Sequence, residues 1–194
     1  MAVMKVYKFS VSPSESRHIC PEDKQLYLTF GIPAWFKGNG REWFGGKPLI
    51  SQWRALEFKT CNHSTNKLLT DCLYTDFLIP VLSNTVVNAL SNILTSNGEL
   101  LKITYDAENG TDYFAYNTTS VIDVLDTGKS DYISTSPKFI FLEDKLLEQD
   151  LWIFKISQIP YQRFSFVTDC FVKKVNDEQL TGFRFTEVWS NNAN

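Results

Sequence analysis

SNTVVNALSNILTSNGELLKITYDAENGTDYFAY, residues 83–116, predicts a helix that is followed directly by two strands. Apolar residues recur at helical spacing in its first half and form one stripe: Val86, Val87, Leu90, Ile93 and Leu94. Ser83 is a suitable N-cap because its hydroxyl can accept a bond from an early backbone N–H. We expect Gly98 to end the helix in the left-handed conformation. The uncharged polar face of Asn84, Asn88 and Asn92 is expected to face solvent.

The second half of this stretch predicts a β-hairpin. Residues 100–105 are rich in strand-forming side chains, and residues 112–116 form the expected return strand. Asn109 and Gly110 lie between them and are a favoured pair for a tight turn. An antiparallel pair of strands is therefore expected immediately after the helix.

Outside this stretch, strands and helices do not alternate regularly. Further strands are predicted at 3–9, 25–30, 53–58, 121–126, 139–142, 151–154, 164–167 and 183–189. A second helix is expected after Thr168 as its cap, and a short helical turn within 143–149. This irregular order favours an α+β fold, with a mainly antiparallel sheet and a few helices packed on it, over a parallel α/β fold.

The length fits one domain. With 194 residues, 43% of them hydrophobic and 14% aromatic, the chain has enough apolar surface for its own core. We therefore interpret residues 1–194 as a single domain. The polar segment 60–65 marks a possible division into an N-terminal lobe, 1–65, and an α+β part, 66–194.

Charge and hydropathy narrow the classes of partner. Nineteen basic and 22 acidic residues give a formal charge of −3, which argues against a protein that binds nucleic acid through phosphate contacts. No apolar run approaches the ~18 residues that span a bilayer. Lys5 and Lys8 interrupt the first residues, which therefore lack the long apolar region of a signal peptide. We expect a cytoplasmic protein without a membrane partner.

The cysteines are expected to be free thiols, because they are scattered and a cytoplasmic location is reducing. They are Cys20, Cys61, Cys72 and Cys170. His18 and His63 each lie two positions from one of them, which together offers the ligand types of a zinc site. A single intervening residue is shorter than the usual spacer, so unrelated loop residues are the favoured interpretation. No metal and no cofactor are predicted.

No catalytic motif is found. The chain has two histidines, no nucleophile elbow and no glycine pattern that would hold a phosphate. Three pairs of neighbouring acids could act as general acid and base only if they converge: Asp123/Asp126, Glu143/Asp144 and Glu148/Asp150. Charged clusters are usually solvated, and we predict that the protein is not an enzyme and has no catalytic residues.

The glycine-rich segment 31–48 supplies the candidate partner-binding residues. Such loops can expose aromatic side chains, and tryptophan and arginine are enriched at interface hot spots. The candidates are Trp35, Trp43, Phe44 and Arg41. Two alternatives remain: the aromatic side chains pack in the core, or they stack on nucleic-acid bases, which the negative charge disfavours.

Three segments of the C-terminal part form a familiar order. They are Thr75–Ser83, which leads into the helix, Phe164–Asp169, which joins a strand to a helix, and Leu180–Trp189, which contains the last predicted strand. This order resembles the immunity proteins of bacterial polymorphic toxin systems, in particular the type-eleven immunity family and its close relatives. The resemblance covers about residues 75–189, and its motifs are structural.

The resemblance implies an inhibitor. Such proteins lie in the cytoplasm of the producing cell and bind a cognate toxin domain, which they neutralise by occlusion. It carries over no catalytic residues. Two other classes stay open: a small carboxylate-dependent hydrolase or transferase of unknown substrate, and an adaptor module that associates with itself.

Overall fold

The structure is a computed structural model that describes residues 4–21, 26–27, 32–33, 43–61, 64–75, 78–105, 107, 110–148, 151–159 and 164–192. Its strands are β1 (Lys5–Val11), β2 (Ile19–Pro21), β3 (Leu26–Tyr27), β4 (Ile32–Pro33), β5 (Glu57–Thr60), β6 (Cys72–Leu73), β7 (Val81–Ser83), β8 (Gly98–Lys102), β9 (Thr104–Tyr105), β10 (Tyr113–Thr118), β11 (Val121–Ile122), β12 (Ile153–Ile156), β13 (Ser165–Thr168) and β14 (Phe183–Ser190). Its helices are α1 (Asn84–Ala89), α2 (Ser91–Asn97), α3 (Glu143–Leu147) and α4 (Asp169–Asp177). The sheets are mostly antiparallel, so the predicted α+β class is confirmed.

The largest sheet joins the two ends of the chain. Its order is β11-β12-β13-β1-β14, and β1 is antiparallel to both of its neighbours. β1 therefore lies inside a sheet whose other strands all come from the second half of the sequence. Residues on both sides of the possible division near residues 60–65 therefore share this sheet.

The two faces of this sheet bury different clusters. One face packs against α1, α2 and α4, and its centre includes Phe9, Leu90 and Phe171. The other face carries Phe166 and is covered by the segment that contains Phe139. Side chains of a strand alternate between faces, so β1 contributes to both clusters.

Two smaller sheets enclose a third cluster. Their orders are β6-β7-β10-β8 and β2-β5-β9, and β3 pairs with β4 separately. The third cluster contains Trp43, Phe44 and Phe58. The predicted hairpin is confirmed for β8 and β10, which are antiparallel, whereas β9 leaves it and runs parallel to β5.

The predicted helix begins and ends at the expected residues. The Ser83 hydroxyl accepts a bond from the backbone N–H of Val86, as an N-cap does. The backbone at Leu90 divides the helix into α1 and α2, although the amide of Leu94 still donates to the carbonyl of Leu90. The three asparagines of the polar face are exposed, as predicted.

The left-handed conformation expected at Gly98 is wrong. Gly98 has φ −178°, which is extended backbone. A Cβ there would lie 2.4 Å from the carbonyl oxygen of Asn117 and 2.6 Å from the Tyr116 hydroxyl. The position therefore needs glycine for close packing against β10, and not for its backbone angles.

The prediction that all four cysteines are free thiols is also wrong. Cys20 and Cys61 form a disulfide that joins β2 to the end of β5, with their Cα atoms 5.7 Å apart. Two cysteines that are distant in sequence meet because these strands pair. Of the other two cysteines, Cys72 is buried and Cys170 is exposed.

Candidate functional site

A cavity of about 270 Å³ opens beside one face of the five-stranded sheet. Strands β1 and β14 form its floor. One wall consists of Tyr74, Thr75 and residues 78–80, and another of Phe164 and Ser165. The lining residues are Lys8, Phe9, Ser10, Val11, Tyr74, Thr75, Leu78, Ile79, Pro80, Phe164, Ser165, Arg184 and Thr186. The cavity is therefore largely apolar, with two basic side chains.

Strand alternation places the two basic residues on the same face of the sheet. Lys8 lies opposite Thr186 in the register, and Ser10 lies opposite Arg184. Lys8 and Arg184 are thus diagonal neighbours on adjacent strands. Long side chains at such positions can contact the same bound group. The alternate residues Phe9 and Phe185 belong to the core cluster on the opposite face.

A tight turn builds the wall next to the floor. The Thr75 hydroxyl donates to the carbonyl of Ile79 and accepts from its amide, and the amide of Leu78 donates to the carbonyl of Thr75. Leu78 has φ +57°, a conformation that costs about 1–2 kcal/mol for a residue with a side chain. These bonds hold Leu78 in place, and 54% of its surface is exposed.

The second wall positions one of the cations. The ammonium nitrogen of Lys8 lies 4.2 Å from the centroid of the Phe164 ring, within the range of a cation–π contact. Arg184 is exposed. Between the residues that the structure describes, no ion pair involves Lys8 or Arg184, whereas nearby Glu187 is paired with Lys5 at 2.8 Å. Among the described residues that line the cavity, the charged side chains are therefore both cations.

The three segments of the resemblance meet at this cavity. Thr75, Ile79 and Pro80 come from the first, Phe164 and Ser165 from the second, and Arg184 and Thr186 from the third. Asp71 joins the first segment to the third. One of its oxygens accepts from the Ser83 hydroxyl at 3.0 Å, and the other from the amide and the hydroxyl of Thr181 at 2.9 and 2.7 Å.

Two of the four predicted partner-binding residues, Trp43 and Phe44, belong to the core. Trp43 and Phe44 are only 0% and 2% exposed, so neither can be a surface contact, and the core-packing alternative is correct for both. The Trp43 ring stacks on Trp53 at 5.6 Å and meets the Phe44 ring edge to face at 5.0 Å. Trp35 and Arg41 lie outside the described residues.

Several of the other candidates for chemistry are engaged in contacts of their own, and Asp150 lies outside the described residues. Asp123 is paired with Lys145 and Asp126 with Lys129, both near the surface, and Glu143 accepts from the Asn191 amide. His18 is buried against Tyr74, with 4.9 Å between the rings. His63 lies outside the described part of the chain, in which no three His, Cys, Asp or Glu residues gather as metal ligands.

Sequence reasoning missed Lys8 and Arg184. A signal was present, because each basic residue stands between aromatic ones: Tyr7-Lys8-Phe9 and Phe183-Arg184-Phe185. In a strand, this spacing places the cations together on the face opposite the aromatic side chains. The pairing of β1 with β14, which brings the two cations together, has no local signal in the sequence.

Comparison with known proteins adds no family. No family model matches the chain, and no curated protein matches it in sequence. Among the helices in the described ranges, none is long and apolar enough to cross a membrane.

Proposed function

We propose that the protein is an immunity protein that binds a cognate bacterial toxin domain and neutralises it by occlusion in the cytoplasm of the producing cell. The observation that carries this proposal is the convergence of the three resembling segments on one solvent-accessible cavity. Segments that served only to build the core would have no reason to share an opening. Their common position favours a binding role for the face on which they meet.

The cavity has the features of an anchor site within a larger interface. Interface energy is concentrated in a few side chains that fill pockets, while the surrounding contacts exclude water. A stable complex of this kind buries about 1,600 Å² in total, far more than the cavity alone offers. We therefore expect the toxin to cover the cavity and the exposed residues around it, including Leu78 and Thr186.

The test is co-expression with the product of the adjacent gene. If the proposal is correct, the two chains co-purify in equal amounts, and this protein restores the growth of cells that express the toxin domain. A catalytically inactive toxin variant should bind equally well, because occlusion needs no turnover. A neighbour that neither binds nor harms cells contradicts the proposal, as does substrate turnover by this chain that accounts for the protection.

A further inference from the structure

We propose that the cavity binds an acidic, apolar segment of the partner protein, in which a carboxylate lies next to an aromatic or large aliphatic side chain. This inference rests on the proposed function and specifies the chemistry of its interface. The apolar side chain would enter the cavity, and the carboxylate would lie at Lys8 and Arg184.

The apolar part follows from the walls and the size. Leu78, Ile79, Pro80 and Phe164 provide a hydrophobic lining, and Phe164 offers a ring for an edge-to-face contact with an aromatic side chain. About 270 Å³ is smaller than the roughly 300–1,000 Å³ of sites for drug-sized ligands. The cavity therefore suits one large side chain better than an extended ligand.

The acidic part follows from the two cations. Lys8 and Arg184 are brought to one face by the register of β1 and β14, and the contact with Phe164 holds the Lys8 ammonium at the apolar wall. A guanidinium and an ammonium together can bind both oxygens of a carboxylate, and such charged hydrogen bonds are about twice as strong as neutral ones. Partial exclusion of water by the apolar walls strengthens the attraction further.

The position in the fold favours a protein segment as the source of this carboxylate. β14 is the last strand in the order of its sheet, so the cavity lies beside a sheet edge. A segment that runs along such an edge can insert alternate side chains into a neighbouring cavity. The exposed Leu78 extends the apolar surface beyond the cavity, which a free small carboxylate would leave uncovered.

The first experiment titrates the protein with blocked dipeptides and follows amide chemical shifts by NMR. The probes are acetyl-Phe-Glu-amide, acetyl-Phe-Gln-amide, which removes the charge, and acetyl-Ala-Glu-amide, which removes the ring. We expect shifts at β1, β14 and Leu78 with the first probe, and affinity about tenfold lower with each of the others. Equal affinity for the Glu and Gln peptides, or shifts confined to other parts of the chain, would overturn the inference.

The second experiment measures the affinity of the complex with the inactive toxin variant. Lys8→Gln and Arg184→Gln should each weaken it about tenfold, and Lys59→Gln and Arg54→Gln, exposed cations away from the cavity, should leave it unchanged. If no complex forms at all, the proposed function fails. If the complex forms and all four variants bind like the wild type, only the present inference fails. Circular dichroism of each variant checks that it is folded.

Discussion

Trp43 illustrates how a residue from a glycine-rich segment becomes part of the core. Its side chain is fully buried, stacked on Trp53 and edge to face with Phe44. A large aromatic side chain in such surroundings stabilises the fold through both its area and its ring contacts. Phe44 has φ +54°, so the tight turn at 43–46 directs two adjacent rings inward.

We therefore expect Trp43→Ala to destabilise the protein and not merely to weaken a contact with a partner. Loss of a buried tryptophan leaves a cavity and costs about 3–5 kcal/mol of unfolding free energy. Urea denaturation followed by circular dichroism measures this change. Ile133→Ala is the control, because Ile133 is 86% exposed and its loss should change stability by no more than about 0.5 kcal/mol. A Trp43→Ala protein as stable as this control would contradict the core role.

Composition does not distinguish a buried Trp43 from an exposed one. The glycines around it predict a loop, which is correct for residues 43–48, and loops are usually at the surface. What decides its burial is the cluster formed with residues of β5, β7 and β10, all of them later in the chain. The same holds for Cys20 and Cys61, which lie 41 residues apart. Contacts between residues so far apart in sequence cannot be predicted from a short segment of the chain.

Elements whose signals are local are predicted well. The serine cap and the apolar stripe of residues 83–97 depend on neighbours within a few positions, and the structure confirms them. The alternation predicted along the last strand is confirmed only for residues 183–186, because Thr186 and Glu187 are both exposed. Thr168 is at the N-terminus of α4 as expected, yet its hydroxyl donates to the carbonyl of Leu151 instead of capping the helix. The hydroxyl therefore binds a residue distant in sequence, and not the helix backbone that the local pattern predicts as its partner.

The start of β14 is fixed by a glycine. Gly182 has φ +86°, and a Cβ at this position would lie 2.4 Å from the carbonyl oxygen of Cys72 and 2.6 Å from the Thr70 hydroxyl. Asp71 binds the adjacent Thr181 through its carboxylate. The approach of β14 to β6, and with it one side of the cavity, therefore depends on the absence of a side chain at residue 182.

Gly182→Ala should be more destabilising than the matched variant Gly110→Ala. Gly110 also has positive φ, +66°, but a Cβ there would meet nothing within 4 Å, so alanine adds only the backbone cost of about 1–2 kcal/mol. At residue 182 the steric overlap adds about 1–3 kcal/mol more. Chemical denaturation of the two variants gives the difference directly. Equal losses would show that β14 can shift without cost.

For the whole molecule, the order of the sheets is beyond what periodicity can predict. The α+β class follows from the irregular succession of elements, but the place of β1 between β13 and β14 joins residues more than 150 positions apart. The cavity depends on the same pairing, because its floor comes from both ends of the chain. The sequence allows its basic and aromatic residues to be placed on strands. It does not predict that these strands pair and bring the residues together.

Two buried tyrosine hydroxyls and one buried thiol lead us to expect that the whole molecule loses stability at alkaline pH. Burial raises the pKa of the Tyr116 hydroxyl, of the Tyr113 hydroxyl and of the Cys72 thiol above their ordinary values of 10.0, 10.0 and 9.0. Both hydroxyls also donate hydrogen bonds, to the carbonyls of Leu94 and Thr70, which an ionised oxygen could not do. The folded state therefore keeps these protons at a pH at which the unfolded chain releases them.

The sign and the size follow from proton linkage. Below about pH 8 these groups are protonated in both states and contribute no pH dependence to stability. As the pH rises past the ordinary pKa of each group, the unfolded state binds fewer protons than the folded state. The unfolding free energy then falls, with a slope that approaches about 1.4 kcal/mol per pH unit for each group. Urea unfolding across this range measures the slope. Tyr116→Phe should be about 1 kcal/mol less stable near pH 8, because it loses a hydrogen bond, but its alkaline slope should be shallower by one group. An unchanged slope would mean that the Tyr116 hydroxyl ionises as easily in the folded protein as in the unfolded chain.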